Sequence, residues 1–346
     1  MNRTALKSED LLHLAASHVP GFTAEGPPQR LRGGLLNHVW RLPARPEPII
    51  AKQAPSRMAS SPDVVLDPSR LRFEARALTD VNEGGRLQEL ASEELRPPRP
   101  RAFVPSVPIL FMEDIGDGPD LQAWLYANPG VRRARSAGAR LGAWMARLHA
   151  ATAARDDFAR DYDNRPIQET RRWVQYEAVA AAWEAQAEVN LRRLAPAARR
   201  LGQLLLRPGR CLVMGDLWPR SIRFAPRERI RLIDWEFAHY GRPLQDTAHL
   251  EAHLWMLAHR APTPEVRACV DTFARAFEQS YTGLIQDRAP GLFDAEERYF
   301  HRIHVACELF VRAVGPFKVG YLYDGLEEQS GPVQEVLFAI TEYAGA

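Results

Sequence analysis

The sequence predicts an α+β protein with a small β-rich amino-terminal lobe and a larger, mostly helical carboxy-terminal lobe. Short apolar runs separated by glycine- and proline-containing turns dominate the first hundred or so residues, as expected of strands. From about residue 119 onward, apolar residues recur at three- and four-residue spacing over long stretches, as expected of amphipathic helices. We therefore divide the chain into a first lobe, residues 1–112, and a second lobe, residues 113–346.

Local signals place the elements of the first lobe. Residues 9–18 have the spacing of a short helix, and residues 30–55 contain alternating runs joined by turns. Asp67 followed by Pro68 is a typical helix start, and the residues after it have helical spacing. A further apolar run, residues 109–115, predicts another strand near the end of the lobe.

The second lobe contains helices interrupted by one β segment. Residues 134–152 place Leu141, Trp144 and Leu148 on one face, and further helical patterns cover residues 167–206. Residues 210–241 then contain short β-type runs, two of which are joined by a five-residue turn and predict a hairpin.

Composition excludes several classes of protein. The chain has 346 residues, of which 46% are hydrophobic and 25% charged, as in globular proteins. Its net charge of +2 gives no reason to expect a nucleic-acid partner. Three widely separated cysteines favour reduced thiols in the cytoplasm over disulfides or a zinc site. We expect no membrane partner, because no apolar run has the length of a span, and the oligomeric state is open.

The hairpin brings two acidic residues toward one end. Asp216 precedes its first strand and Asp234 follows its second. Two adjacent carboxylates are costly unless a cation lies between them or one is protonated. Phosphoryl transfer supplies such a cation, because one acid acts on a hydroxyl while the other holds Mg²⁺ on the phosphates. The alternative is that both are surface loop acids that never meet.

Lys52 and Glu74 strengthen the hypothesis of phosphate chemistry. Lys52 lies within a predicted strand and is one of only three lysines in an arginine-rich chain, so a compact charge that reaches a phosphate explains it better than a generic surface cation. Glu74 lies inside the apolar stripe of its helix, and a buried carboxylate needs a partner. We predict that it pairs with Lys52; the alternative is that Glu74 reaches solvent at the edge of the stripe.

A glycine-containing turn joins the first two strands. Gly33 and Gly34 would allow the backbone to approach a phosphate, and Asn37 could donate a hydrogen bond to it. The alternative is ordinary turn chemistry in a hairpin.

Taken in order, the glycine turn, Lys52, Glu74 and the motifs FMED, MGDLWPRS and IDWE resemble those of the aminoglycoside phosphotransferase and choline kinase superfamily. This family is a branch of the protein-kinase-like fold, and the resemblance runs from about residue 30 to about residue 320. It implies a nucleotide-binding first lobe, a catalytic and substrate-binding second lobe, and the use of ATP and Mg²⁺.

The resemblance also implies roles for individual residues. Lys52 would contact the α- and β-phosphates while Glu74 holds it, and Met112 and Glu113 would belong to the segment that meets adenine, largely through backbone groups.

In the second lobe, Asp216 would be the catalytic base and Asp234 the main Mg²⁺ ligand. Asp246 matches a family aspartate that supports the catalytic loop, although an exposed helix cap is the alternative.

Two residues depart from the family pattern. Met214 stands where the family usually has histidine, and Ser221 stands where it commonly has asparagine as a second metal ligand. Methylthioribose kinases, which this chain resembles most, commonly have serine there and an Asp-x-Glu motif that supplies both acidic ligands. Glu236 in IDWE would then join Asp234 at the metal, with Ser221 as a weaker ligand. The alternative for Glu236 is a salt-bridged loop acid.

The expected function is therefore ATP-dependent phosphorylation of a hydroxyl group on a small molecule. An amino alcohol, a sugar, an aminoglycoside-like compound and a hydroxyindole are all open as acceptors; fungal hydroxytryptamine kinases also have Val-Met before the Asp-Leu-Trp of this loop. The alternative function is a pseudokinase that binds nucleotide as a regulatory or scaffolding protein.

Overall fold

The computed structural model describes residues 5–31, 36–57, 65–186 and 188–345. Gly33 and Gly34 lie outside these residues. The chain forms two compact units, the first comprising Met1–Gly118 and Arg223–Ala238 and the second Pro119–Ile222 and His239–Ala346.

The strands of the two units are, in chain order, β1 Thr23–Ala24, β2 Gln29–Arg30, β3 His38–Leu42, β4 Ala44–Arg45, β5 Ile49–Gln53, β6 Leu95–Arg96, β7 Pro100–Val104, β8 Ile109–Glu113, β9 Cys211–Val213, β10 Ile222–Ala225, β11 Arg229–Leu232 and β12 His239–Gly241. The α-helices are α1 Ser8–His18, α2 Leu71–Val81, α3 Leu121–Tyr126, α4 Val131–Thr152, α5 Asp156–Asp161, α6 Arg165–Arg171, α7 Ala178–Ala185, α8 Val189–Leu204, α9 Leu244–His259, α10 Pro264–Arg288, α11 Ala295–Ala313 and α12 Gly331–Gly345. A π-helical segment, Arg172–Glu177, joins α6 to α7.

An antiparallel sheet in the order β2-β3-β5-β8-β7 forms the centre of the first unit. Alternation along β5 buries Ile49 and Ala51 against α1, where Leu11 and Ala15 are fully buried. Lys52 points to the opposite face and pairs in register with Val39 and Leu110. The central strand therefore carries Lys52 away from the α1 side of the sheet.

Helix α2 begins as the sequence predicts. The Asp67 side chain accepts a hydrogen bond from the backbone N–H of Ser69, Pro68 occupies the first turn, and a short 3-10 segment leads into the helix. Its buried face includes Leu71, Leu78 and, among these apolar side chains, Glu74.

The first unit also includes a segment that the sequence analysis assigned to the second lobe. Strand β11 pairs in parallel with β6, so that Ile230 lies opposite Leu95 and Arg231 opposite Arg96. The predicted β10–β11 pairing is present, but the contact with β6 joins residues 223–238 to the first unit. Local patterns along the chain do not reveal such a pairing, because its partners lie more than a hundred residues apart.

The second unit is mainly helical. Helices α4 and α10 pack so closely that a Cβ at Gly138 or Gly142 would collide with the carbonyl oxygen of Phe273 or Phe277. A separate core lies among α8, α9, α11 and α12, and a two-stranded ribbon of β9 and β12 lies beside α4 and α5. No helix within the described part of the chain combines the length and apolarity that a membrane span needs. The α+β class with a β-rich first and a helical second region is confirmed.

Candidate active site

In the first unit, the Lys52 ammonium lies among carboxylates. Its Nζ is 2.7 Å from Glu74 Oε2, 2.7 Å from Asp234 Oδ1 and 3.7 Å from Glu236 Oε1. Lys52 and Glu74 are buried, whereas the Asp234 side chain is 45% exposed. The structure thus brings the predicted pair of Lys52 and Glu74 together with Asp234.

Burial and charge act against each other in this cluster. Burial disfavours the charged form of Lys52, but the neighbouring carboxylates outweigh it and raise the pKa of the ammonium above its usual value. Burial raises the pKa of Glu74 to about 7, against the opposing effect of Lys52. Lys52 therefore stays charged at neutral pH and can offer a fixed positive charge beside the exposed Asp234.

Asp234 follows β11 in an unusual backbone conformation. Its φ of 65° and ψ of 56° place it in the left-handed region, which costs energy for a residue other than glycine. The turn directs the carboxylate toward Lys52 while leaving much of it accessible. An accessible carboxylate beside a buried lysine is a suitable ligand for Mg²⁺, which prefers oxygen ligands.

Glu236, two residues later, is held differently. It is buried, its Oε1 accepts a 2.6 Å hydrogen bond from Asn37 Nδ2, and its Oε2 accepts one of 2.6 Å from Arg70 Nε. Arg70 Nη2 also donates to Asn37 Oδ1, which closes a buried polar network. Metal binding by Glu236 and phosphate binding by Asn37 stay predictions.

Arg70 was not among the residues that the sequence pattern indicated. It is buried in the 3-10 turn before α2, where its guanidinium also donates to the carbonyl oxygens of Pro55 and Asp67. Arg70 precedes Glu74 by four residues, a spacing that places two side chains on the same face of a helix. This spacing was the signal in the sequence that Arg70 lies on the buried face.

Met112 and Glu113, which the resemblance assigns to adenine contact, are the last two residues of β8. The Met112 side chain is buried, and its residue pairs with Ile50 in β5. Burial would raise the pKa of Glu113, but a two-pronged hydrogen bond from Arg96 outweighs it and lowers the pKa. Their predicted part in nucleotide binding stays a prediction.

In the second unit, the loop after β9 carries Asp216. Gly215 has a φ of 79°, which glycine adopts without strain. Asp246 is fully buried at the start of α9 and accepts hydrogen bonds from the backbone N–H groups of Met214, at 2.8 Å, and Gly215, at 2.7 Å. His149 Nε2 lies 3.1 Å from the same carboxylate. Asp246 thus supports the loop and is not an exposed helix cap.

The two unusual residues of this loop are both buried. Met214 is fully buried, so an apolar side chain fills the position where the family pattern has histidine. The Ser221 hydroxyl lies 2.8 Å from the Trp218 carbonyl oxygen and 3.2 Å from that of Asp216, and it accepts from the Trp218 N–H at 3.1 Å. Ser221 closes the turn in this structure, and its predicted contact with a metal stays a prediction.

The Asp216 carboxylate is 23% exposed and is contacted on one oxygen by two donors. Arg171 Nη2 lies 3.1 Å and His249 Nε2 3.4 Å from Oδ1. Burial would raise the pKa of Asp216, but His249 and Arg171 outweigh it and hold the pKa below its usual range. Asp216 belongs to the second unit and Asp234 to the first, and the expected meeting of their carboxylates stays a prediction.

A buried polar cluster lies behind Asp216. His249, His253 and Glu308 place potential metal-ligand atoms within 4.8 Å of one another. Among the described residues, this group has a geometry that could hold a metal ion outside the predicted site. Glu308 Oε1, however, accepts from Arg312 Nε at 2.7 Å, and Oε2 accepts from Gln175 Nε2 at 2.5 Å. This cluster therefore has the character of an internal ion-pair network.

Aromatic rings adjoin the same cluster. The Arg312 guanidinium lies 5.0 Å from the Trp218 ring centroid and 5.5 Å from that of Tyr321. The hydroxyl of Tyr321 is 2.8 Å from His253 Nδ1. Trp218, which follows Asp216 by two residues, thus belongs to a group of aromatic rings in contact with an arginine.

Comparison with known proteins decides the family. The model of the phosphotransferase enzyme family matches residues 29–290, three quarters of the chain. This chain is a member of that family. The resemblance to aminoglycoside phosphotransferases and choline kinases is thereby confirmed, and so is the expectation of a small-molecule kinase. A particular closeness to methylthioribose kinases stays a prediction.

Individual relatives are distant from this phosphotransferase. A 4-hydroxytryptamine kinase of Psilocybe cyanescens is 26% identical over 272 residues, which are 73% of this chain and 74% of that protein. A glucosamine kinase solved with glucosamine, ADP and inorganic phosphate is 18% identical, with a TM-score of 0.55 over 97% of this chain and 85% of that one. A choline kinase of Streptococcus pneumoniae is 14% identical, with a TM-score of 0.53 over 97% and 98%. The solved structures show the fold, and the alternative of a pseudokinase finds no support in these likenesses.

Several polar residues of this phosphotransferase were not singled out from its sequence. They are Arg171, His249, His253, His304 and Glu308 of the second unit. The four-residue spacing of His249 and His253 on one helix was the available signal. Histidines on a mostly apolar helix are ordinarily core residues, so this spacing becomes informative only when Asp216 is seen beside them.

Proposed function

We propose that this phosphotransferase transfers the γ-phosphoryl group of ATP to a hydroxyl group of a small molecule in a Mg²⁺-dependent reaction. The observation that carries the proposal is the contact of Lys52 with Glu74 and Asp234. These charges are costly to bury, and phosphate and metal binding explain why they are kept together.

In the first unit, Lys52 binds the phosphates as a point charge and Glu74 holds its ammonium in place. Asp234 is the residue best suited to hold Mg²⁺, because its carboxylate is accessible and its oxygens are hard ligands. When bound, Mg²⁺ supplies charge neutralisation on the phosphate oxygens. The contribution of Glu236 to the metal is part of this proposal, and Asn37 and Arg70 each donate to one of its oxygens.

In the second unit, Asp216 orients the acceptor hydroxyl and takes up its proton as the new P–O bond forms and the bond between the γ-phosphorus and the departing ADP breaks. A carboxylate with a lowered pKa is a weak base, so its main contribution is orientation, in keeping with a loose transition state. Asp246 supports this role by holding the backbone of the loop from below.

The acceptor that we favour is a hydroxyl on an aromatic small molecule, such as a hydroxyindole. Two observations support this: the likeness to a 4-hydroxytryptamine kinase and the aromatic surface of Trp218 and Tyr321. Amino alcohols, sugars and aminoglycosides remain in the test panel, because other members of the fold act on them.

The test measures product formation from ATP and Mg²⁺ with 4-hydroxytryptamine, choline, glucosamine and spectinomycin, using ³¹P NMR to identify a new phosphate ester. We expect an ester with at least one acceptor and a fall in kcat of roughly 10²- to 10⁴-fold in Asp216→Asn, the range of general acid–base contributions. Nucleotide binding without an ester, or an Asp216→Asn variant as active as the wild type, would contradict the proposal.

A further inference from the structure

We propose that His249 is a positioning residue for Asp216 and that it is held in its working tautomer by a relay from Tyr176 through His304. This inference rests on the proposed function, because it assigns His249 a role only if Asp216 acts on the acceptor hydroxyl.

The relay is a continuous series of buried contacts within the second unit. The Tyr176 hydroxyl lies 2.8 Å from His304 Nδ1, and His304 Nε2 lies 3.3 Å from His249 Nδ1. His249 Nε2 lies 3.4 Å from Asp216 Oδ1. The π-helical segment, α11 and α9 each contribute one member, so the series depends on the packing of three elements.

The negative charge of Asp216, at the end of the relay, indicates which atom of each contact carries the proton. Burial raises the pKa of Tyr176 and lowers that of His304, so the first is a phenol and the second a neutral imidazole. A neutral imidazole has one donor and one acceptor nitrogen.

Two directions are then possible, and the Asp216 carboxylate selects between them. If Tyr176 donates to His304 Nδ1, His304 donates from Nε2 to His249 Nδ1, and His249 presents an Nε2–H to Asp216 Oδ1. The opposite direction would place a nitrogen lone pair against a carboxylate.

A carboxylate lies near each nitrogen of the His249 ring, and Asp216 at 3.4 Å is the nearer of the two. From α9, His253 is packed edge-on against His249, with burial lowering its pKa to about 3 despite its hydrogen bond to Glu308. From α11, Glu308 Oε2 lies 3.6 Å from His249 Nδ1. Arg312 and Gln175 also donate to Glu308, so both of its oxygens already have hydrogen-bond donors other than His249.

The consequence for Asp216 is a fixed orientation. Arg171 and His249 both approach Oδ1, which assigns Oδ2 to the acceptor hydroxyl. The 3.4 Å separation is long for a hydrogen bond, and the buried His249 Nε2 has no bonded partner of ordinary geometry among the described residues. Catalytic hydrogen bonds are often long without substrate and shorten in the reacting complex.

The first test reads the tautomer and needs no acceptor. Long-range ¹H–¹⁵N NMR of the full chain with labelled imidazoles, assigned with a His249→Gln variant, should find a proton on His249 Nε2. In Tyr176→Phe, where His304 loses its fixed donor, the His249 nitrogens should exchange between forms. A His249 ring protonated only at Nδ1 in the wild type would overturn the proposal.

The second test measures steady-state kinetics with the acceptor of the panel that reacts fastest. If no acceptor is phosphorylated faster than ATP is hydrolysed, the rate of ATP hydrolysis is measured instead. We expect His249→Leu to lower kcat by ~10- to 100-fold, the usual effect of losing a supporting partner, with KM for ATP unchanged. His249→Gln keeps an N–H donor near the same place and should restore most of kcat. His301→Leu is the matched control, because His301 on α11 pairs instead with Glu251.

The outcomes separate this inference from the proposed function. If Asp216→Asn abolishes turnover while His249→Leu leaves kcat unchanged, the positioning role is wrong and the proposed function stands. A fall in His249→Leu that His249→Gln does not restore would indicate a packing role only. If Asp216→Asn is fully active, the proposed function itself fails.

Discussion

Asp246 Oδ1 accepts a 2.7 Å hydrogen bond from the backbone N–H of Gly215, the residue before Asp216. Its other oxygen accepts from Met214, so a single buried carboxylate fixes two successive peptide groups of the loop. Hydrogen bonds to ionised acceptors are stronger than neutral ones, and a buried backbone donor left without a partner is costly. The conformation of the loop therefore depends on Asp246, which lies 30 residues after Asp216 in the sequence.

Replacing Asp246 by asparagine should lower both stability and turnover. The amide nitrogen of Asn would face a backbone N–H, so one buried donor loses its acceptor, at a cost of about 1–3 kcal/mol in the free energy of unfolding. Urea denaturation measures this. Asp120→Asn is the control, because Asp120 accepts from the Ala123 N–H as a half-buried cap of α3 and asparagine caps equally well. Equal losses in the two variants would contradict the assignment.

Lys52 should stabilise the first unit as well as bind phosphate. Lys52→Met leaves Glu74 buried without its cation, and we expect a loss of about 3–5 kcal/mol in the free energy of unfolding, together with loss of activity. The double variant Lys52→Met with Glu74→Gln should regain much of the stability and none of the activity. Recovery of activity in the double variant would show that Lys52 acts only on folding.

The stability of the single variant Lys52→Met should depend on pH differently from that of the wild type. The pKa of Glu74 in the folded protein, about 7, is above its unfolded value, so protonation favours the folded state and stability is lost as pH rises through the folded pKa. Removing Lys52 takes away the group that lowers this pKa. Lys52→Met should therefore be more destabilised relative to the wild type at pH 8 than at pH 6. A constant difference in denaturation midpoint would argue that Glu74 has another partner.

The metal assignment can be tested by a pair of substitutions. If Glu236 binds Mg²⁺, Glu236→Gln should strongly raise the Mg²⁺ concentration needed for half-maximal activity, whereas Ser221→Ala should change it little. Because Arg70 and Asn37 contact Glu236, the stability of Glu236→Gln must be measured beside its activity. If only Ser221→Ala raised the Mg²⁺ requirement, the metal ligand would be Ser221 and not Glu236. If Glu236→Gln lowered stability without changing the Mg²⁺ requirement, Glu236 would be only a structural partner of Arg70.

His253 should make the second unit sensitive to acid. Its pKa, about 3 when folded, is below the unfolded value near 6.5, so only the unfolded chain takes up this proton between those values. The free energy of unfolding should fall as pH falls, by roughly 1.5 kcal/mol from pH 6.5 to pH 5 for this group. His253→Gln should remove that part of the slope in urea denaturation; an unchanged slope would show that His253 is protonated in the folded state.

Prediction from the sequence was most successful where the signal was local. A helical stripe indicates that Glu74 is buried, and a strand pattern shows which face of β5 carries Lys52, so these signals favoured their contact over the alternative of a solvent-exposed Glu74. The cap at Asp67, the strand 109–113 and the β10–β11 pairing follow from similar signals. Each of these features depends on residues that are near one another in the chain or on one periodic face.

Other features of the site were beyond local reasoning. Whether Asp246 was a cap or a loop support could not be decided from its sequence context, because both interpretations use the same residue type at a helix start. The parallel pairing of β11 with β6 and the contact of Arg70 with Glu236 join distant segments. Neither leaves a periodic pattern in the chain.

By itself, the sequence of this phosphotransferase determined the α+β class, the order of the functional motifs and the pairing of Lys52 with Glu74, because residue type and spacing control burial and charge locally. Only the tertiary structure decided that Asp246 supports the Asp216 loop and that His249 lies between Asp216 and Glu308. These contacts arise where helices α9 and α11 pack beside the loop. Packing of distant elements selects partners that no local spacing encodes.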